Sequence, residues 1–338
     1  MSAEQVRVSI PFLAASLIVR DEAAELPGCL ASLRGIVDEV HVYDTGSIDG
    51  TAQLASELGA IVTLGRWTDD FAAARNGALE GWSALWVLSV DADQRYAGDS
   101  SRLRTLLAES SAEVVEVEVD NAHDELAYTN TAAHLFRPGA VRWQGRVHER
   151  LIALDGGPPR TVAAPRAAVV LEHGGYACPE VRAAKAARNA ELGRQSLNEL
   201  VSAGTDLPAI ARTLLDLGRS LVGAGRQQEA VDTFETLREL FPGTPEWLHG
   251  TDFLARLVLA AGLDEVCLTL VEQMRAAGAG RAYCDWLAAQ ALAQLGDVGG
   301  ATRLLDGVLE VVDTCGRRQD PRALVELRGL LASLTQAA

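Results

Sequence analysis

The constraint that narrows the fold most is a change of texture at Pro179. Before it, short apolar runs alternate with helical stretches, and beyond it the strand signal disappears. Phe12 to Val19 is a continuous apolar run, as a strand covered on both faces requires. Asp21 to Leu33 follows with helical periodicity, then Val37 to Tyr43 as a β-rich run, Asp49 to Leu58 as a helix and Ala60 to Leu64 as a third strand. Alanine-rich Phe71 to Gly81 reads as a helix and Ala84 to Val90 as a strong fourth strand. This β-α-β-α order predicts an α/β, Rossmann-like, mostly parallel sheet with helices on both faces. From about Glu113, valines 114, 115, 117 and 119 alternate with acids, and Ala133 to Phe136 and Val169 to Leu171 are further strand candidates. They predict a mixed extension of the sheet, with a loop at Gly156 to Pro159.

After Pro179, Val181 to Val201 reads as one long helix. Three helix-turn-helix units follow, with turns at Ala224-Gly225-Arg226, Ala261-Gly262-Leu263 and Leu295-Gly296-Asp297. The turn glycines stand 37 and then 34 residues apart. Spacing near that length, with small residues where helices meet, resembles tetratricopeptide repeats, so an all-α helical-hairpin solenoid is expected. The expected division is a domain over 1–178 and a helical repeat domain over 179–338.

The chain has 338 residues, 48% of them hydrophobic, enough for two domains with cores. Its formal net charge of −16 argues against nucleic acid as a partner, since phosphate backbones need a basic face. A phosphorylated ligand would need a local device such as a metal or helix N-termini. Lys185 is the only lysine, so no glycine-rich loop carries the lysine of a P-loop. The five cysteines are scattered without a Cys-x-x-Cys pair, which disfavours zinc ribbons and disulfide frameworks. The N-terminal stretch lacks a basic n-region and no uncharged apolar run reaches membrane-spanning length, so a cytoplasmic protein is expected.

Asp91-Ala92-Asp93 follows the buried run Leu85 to Val90. If these residues stay extended, both carboxylates point to one side at the carboxyl end of a parallel sheet, where ligands of open α/β folds bind. Two hard oxygen donors there suit Mg²⁺ or Mn²⁺ bridging a diphosphate. An isolated Asp-x-Asp is more often a pair of solvated acids, so its surroundings matter. Asp44 ends an earlier strand, before Thr45-Gly46-Ser47, and can accept hydrogen bonds from a base or ribose; Ser47 or Asp49 can cap the next helix. Asp49 and Thr51 read best as structural. Arg75, one turn into a helix, can reach a diphosphate or base edge, or pair with Asp69 or Asp70.

The series S-L-I-V-R-D-E, V-Y-D-T-G-S-I-D-G-T, W-T-D-D-F-A-A-A-R-N and V-D-A-D resembles family 2 glycosyltransferases of GT-A fold, over about Ser16 to Tyr176. Within them it is similar to the branch in which tetratricopeptide-like helices follow the catalytic domain. Two departures are Asp21, where Asn is commoner, and Gln94, where Glu is usual. The resemblance implies a nucleotide-sugar donor, UDP-glucose or a relative, contacted by Val19, Asp21, Glu22, Asp44, Arg75, Asp91 and Ala92. It implies Asp93 as the direct metal ligand, with Asp91 reaching ribose or a bound water. A late histidine commonly adds a ligand, and His148 and His173 are the candidates, His173 being favoured by its place near the end of the domain. An inverting transfer needs a base for the acceptor's proton. Glu149 is the first choice and Asp124 the second, while His41, His123, His134 and His249 read as surface or packing residues.

A different class of function is an inactive GT-A scaffold whose repeats bind a peptide or protein. A nucleotidyltransferase would want a glycine-rich basic loop where Arg20-Asp21-Glu22 stands, and no Gly-x-Ser-x-Gly supports a serine hydrolase. Acceptor peptide, glycan or small molecule all stay open, as does a homodimer through the helical half.

Overall fold

The computed structural model describes residues 10–121, 128–174, 179–204 and 206–337. The first strands and helices are β1 (Leu13–Val19), α1 (Leu26–Leu33), β2 (Glu39–Asp44), α2 (Thr51–Glu57), β3 (Ile61–Leu64), α3 (Phe71–Gly77) and β4 (Trp86–Ser89). Then come β5 (Gln94–Ala97), α4 (Ser100–Glu109), β6 (Val114–Asn121), β7 (Tyr128–Phe136), β8 (Val141–Gln144), β9 (Arg150–Ala153), β10 (Thr161–Ala163) and β11 (Val170–His173). The main sheet runs β3-β2-β1-β4-β7-β6-β11-β5, with β10 beside β6; β8 and β9 form a separate antiparallel pair. It is a GT-A type sheet, mostly parallel, with antiparallel joins at β4–β7 and β5–β11.

β1 is central because it has nothing polar to show on either face until Ser16. Leu13, Ala15, Leu17 and Val19 enter the core formed with α1 and α4, while Ala14 faces the cluster of Ala72, Val87, Phe136, Trp143 and Leu151. Leu17 is fully buried, and its truncation to Ala belongs to the class of core deletions that costs about 2–5 kcal/mol. β1 pairs in parallel with β2 on one side and with β4 on the other. The chain therefore reverses its direction of winding between β1 and β4, and the crevice beyond their carboxyl ends is where an open α/β sheet receives a ligand.

Three expectations need correcting. The helix expected from Asp21 begins only at Leu26, because 20–25 is held as a turn against the loop after β2. Asp91 to Asp93 is not extended: it is a tight turn closed by Gln94 N–H donating to the Asp91 carbonyl at 3.0 Å, so the two carboxylates do not share a strand face. The helix expected to reach Gly81 ends at Gly77.

The helical part comprises α5 (Pro179–Ala203), α6 (Leu207–Gly223), α7 (Gln227–Leu240), α8 (Pro245–Ala260), α9 (Asp264–Ala276), α10 (Arg281–Gln294), α11 (Val298–Leu305) and α12 (Pro321–Ala337). The three expected turns fall between α6 and α7, α8 and α9, and α10 and α11, and the pairs are tetratricopeptide-like hairpins. Gly218 lets α6 and α7 close up, since a Cβ there would lie 2.4 Å from the Phe234 ring. Residues 10–121 and 131–174 form one compact unit, and 128–130 group with the helices, where the Arg317 guanidinium lies 5.1 Å over the Tyr128 ring. Among the described residues, no helix is long and apolar enough to cross a membrane.

Candidate active site

Two loops at the carboxyl edge are stitched side by side. Asp21 N–H donates to Ser47 Oγ at 2.9 Å while Asp21 Oδ1 accepts from Ile48 N–H at 2.8 Å. Glu22 N–H donates to Thr51 Oγ1, and Ala23 N–H to Asp49 Oδ2. Asp21 sits at φ +56°, the left-handed region that Asn and Asp enter most easily among residues with a side chain. Thr51 N–H and Oγ1–H both donate to Asp49 Oδ1, while the N-cap of α2 is Gly50 rather than the expected Ser47 or Asp49.

Asp44 is 2% exposed. Its Oδ1 accepts from Gly46 and Ser47 N–H, whereas its Oδ2 is buried with no hydrogen-bond partner among the described residues. A buried carboxylate oxygen left unmatched costs free energy, and a ligand hydroxyl or N–H would relieve it. Val19 offers no such polar handle: its side chain is in the core and its carbonyl accepts from both Thr45 N–H and Oγ1–H.

Arg75 is not paired with Asp69 or Asp70. Asp70 caps α3 by accepting from Ala73 N–H, and Asp69 accepts from Trp67 Nε1–H. The guanidinium instead points inward, where Nε donates to Glu149 Oε1 at 2.6 Å, Nη1 to Ser89 Oγ at 2.8 Å and Nη2 to Asp91 Oδ1 at 3.0 Å. It also lies 5.2 Å over the Trp143 ring. Burial works against its charge, but the pull of Asp91 and Glu149 outweighs this and holds it charged. The helix is anchored for this task by Asn76, whose side-chain amide exchanges two 3.0 Å hydrogen bonds with the Trp143 backbone. Glu149 Oε2 has no partner among the described residues.

The metal candidates divide. Antiparallel β5–β11 pairing sets His173 opposite Gln94, and His173 Nε2 stands 3.3 Å from Asp93 Oδ2. His148 is exposed on the 145–149 loop at φ +53°. Asp124 and His123 lie outside the described residues. The 91–94 turn is braced from inside: Gln94 Oε1 accepts from Asp91 N–H, and Arg95 Nη1 donates to the Ala92 and Gln94 carbonyls. Ala92 is buried, so only its backbone takes part. Arg95 also reaches Glu25, and Gly28 leaves room for it, since a Cβ there would lie 2.6 Å from Arg95 Nε. Cys29, buried, has its thiol pushed up to about 12 mainly by burial, so it stays protonated and its Sγ–H meets the Asp91 carbonyl at 3.5 Å.

Sequence reasoning set His134 aside and did not single out Ser89 or Asn121. His134 Nδ1 meets the Ser89 carbonyl at 2.7 Å, which assigns the proton to Nδ1. Burial lowers its pKa, keeping the imidazole neutral beside Asp91, Arg75 and Glu149. Only the β4–β7 register brings it there, and no local signal in the sequence shows it.

A mostly parallel sheet with acids gathered at the carboxyl ends of its strands is the arrangement of a GT-A type domain, and tetratricopeptide-like helical hairpins follow it in the chain. Residues 17–153 match the family model of glycosyl transferase family 2. A TPR repeat-containing protein of Synechococcus elongatus is 34% identical over 215 residues, covering 62% of this chain and 52% of that protein. The prophage-derived glycosyltransferase SunS of Bacillus subtilis is 24% identical over 229 residues, covering 66% of this chain and 52% of the relative. The chain thus spans about half the length of these curated relatives. Among solved structures, S. aureus TarS 1–349 in complex with UDP is 14% identical, covers 87% of this chain and 90% of that one, and has a TM-score of 0.39.

Proposed function

We propose that the chain transfers a sugar from a nucleotide-diphosphate donor, a UDP-sugar such as UDP-glucose, to an acceptor nucleophile with inversion. Residues 1–178 are the catalytic part and 179–338 the repeat part. The observation that carries the proposal is the meeting, at the carboxyl edge of one sheet, of the Asp93–His173 pair with the Arg75–Asp91–Glu149 cluster.

The residues fit a divalent cation. Asp93 and His173 would hold it, their Oδ2 and Nε2 standing 3.3 Å apart. Among the described residues no group of three or more His, Cys, Asp or Glu side chains forms a metal cage. Two protein ligands, with diphosphate oxygens and water completing the shell, is the manner in which Mg²⁺ or Mn²⁺ is usually held at phosphate sites. When bound, such a cation stabilises the charge that builds on the departing diphosphate. Asp44 Oδ2 takes a hydrogen bond from the ribose or base. Glu149 accepts the acceptor's proton on Oε2 as the acceptor atom bonds to the anomeric carbon and the bond from that carbon to the diphosphate oxygen breaks. Arg75 holds Glu149 and Asp91 in place.

The scaffold reading loses ground because Asp91, Asp93, Glu149 and His173 are all present and ordered around one edge. Turnover of UDP-sugars with Mn²⁺ tests the proposal. Metal-dependent hydrolysis or transfer that disappears in Asp93→Ala is expected, and no metal-dependent turnover with any donor would sink it.

A further inference from the structure

We infer that Asn121 is a positioning residue that selects which nitrogen of His173 faces Asp93. The inference rests on reading Asp93 and His173 as a divalent-cation pair. β6 and β11 run parallel, and their register sets His173 beside Asn121. Asn121 is 6% exposed. Its Nδ2 donates to the Val119 carbonyl at 3.2 Å, two residues back on its own strand. That fixes the amide orientation, because the flipped amide would set its oxygen against a carbonyl oxygen. Oδ1 is thereby turned to His173 Nδ1, 2.9 Å away. An amide oxygen has no proton to give, so Nδ1 carries the proton of the neutral ring and Nε2 keeps its lone pair.

Nε2 is the nitrogen that stands 3.3 Å from Asp93 Oδ2. In the neutral ring Nε2 then faces Asp93 with its lone pair, the form in which a histidine would ligate a cation. A ligating histidine whose other N–H is tied to an oxygen is the common means of fixing tautomer and ring orientation, and its loss typically weakens metal binding about 10–100-fold. His173 is further confined on its other side, where β5 places Gln94 across the antiparallel pairing. The position thus makes one nitrogen a donor into the protein and reserves the other for the metal.

The test is Mn²⁺ titrated onto the full chain with saturating UDP, the free ion followed by electron paramagnetic resonance. Wild-type binding is expected to depend on Asp93. Asn121→Leu, which removes the acceptor, should raise the Mn²⁺ Kd about 10–100-fold. Asn121→Asp, of the same shape and still an acceptor, should restore most of the affinity; a residue that only packs would leave the Kd unmoved in both. Asn121→Leu binding like wild type, or Asn121→Asp as weak as Asn121→Leu, would overturn the inference alone. Binding that Asp93→Ala leaves intact would overturn both it and the metal reading beneath it. Should Asn121→Leu not fold, ¹⁵N-histidine spectra of the metal-free wild type decide. The His173 signal, identified by its loss in His173→Gln, is expected to show the proton on Nδ1, and a proton on Nε2 contradicts the inference.

Discussion

Arg75 serves three acceptors at once through the fixed fork of its guanidinium, and lysine cannot reproduce that geometry. Removing it leaves Glu149, only 12% exposed, and Asp91 without their counter-charge. Arg75→Ala should therefore lower kcat/KM by about 10²–10³-fold, the scale seen when one preorganised electrostatic partner is lost. It should also cost about 1–3 kcal/mol of stability, read from the denaturation midpoint. Arg75→Lys should recover stability better than rate, because it keeps a charge in the pocket but not the alignment of Glu149. Equal kcat/KM for Arg75→Lys and wild type would show that alignment is not what the fork supplies. Asp21 illustrates a different residue-scale point. The position needs a left-handed backbone and one side-chain acceptor, and Asp provides both.

At the scale of elements, the strands before Val90 and the helical hairpins were legible because each is coded locally. The apolar runs at β1 and β4 and the glycine turns at 225, 262 and 296 carry their own signals. What escaped was long-range. Nothing around Gln94–Ala97 signals a strand, and β5 exists because β11 pairs with it. The same pairing, not the spacing within Asp-Ala-Asp, delivers His173 to Asp93. The assumption of an extended Asp91–Asp93 failed because Gln94 closes the turn on itself through both its backbone N–H and its side-chain Oε1. His134 and Asn121 became visible only through register. In the hairpins, Gly218 is required by the approach of α6 to the Phe234 ring. Gly218→Val should overpack that contact by about 1–3 kcal/mol and lower the helical melting midpoint. An unchanged midpoint would mean that α6 and α7 can separate without loss.

For the molecule as a whole, a formal charge of −16 poses a problem for the proposed donor, since its diphosphate would approach an acidic protein. Arg75 is already neutralised by Asp91 and Glu149, so it does not solve it alone. On the proposed function a cation held by Asp93 and His173 would, and donor binding should accordingly be metal-dependent. The direct measurement is the thermal unfolding of wild type and Asp93→Ala with UDP, with and without Mn²⁺. Binding at a hundred times Kd stabilises by about 2.7 kcal/mol. The account predicts a rise in Tm for wild type only when UDP and Mn²⁺ are both present, and none for Asp93→Ala. An equal rise in the variant, or a full rise with UDP alone, would contradict it.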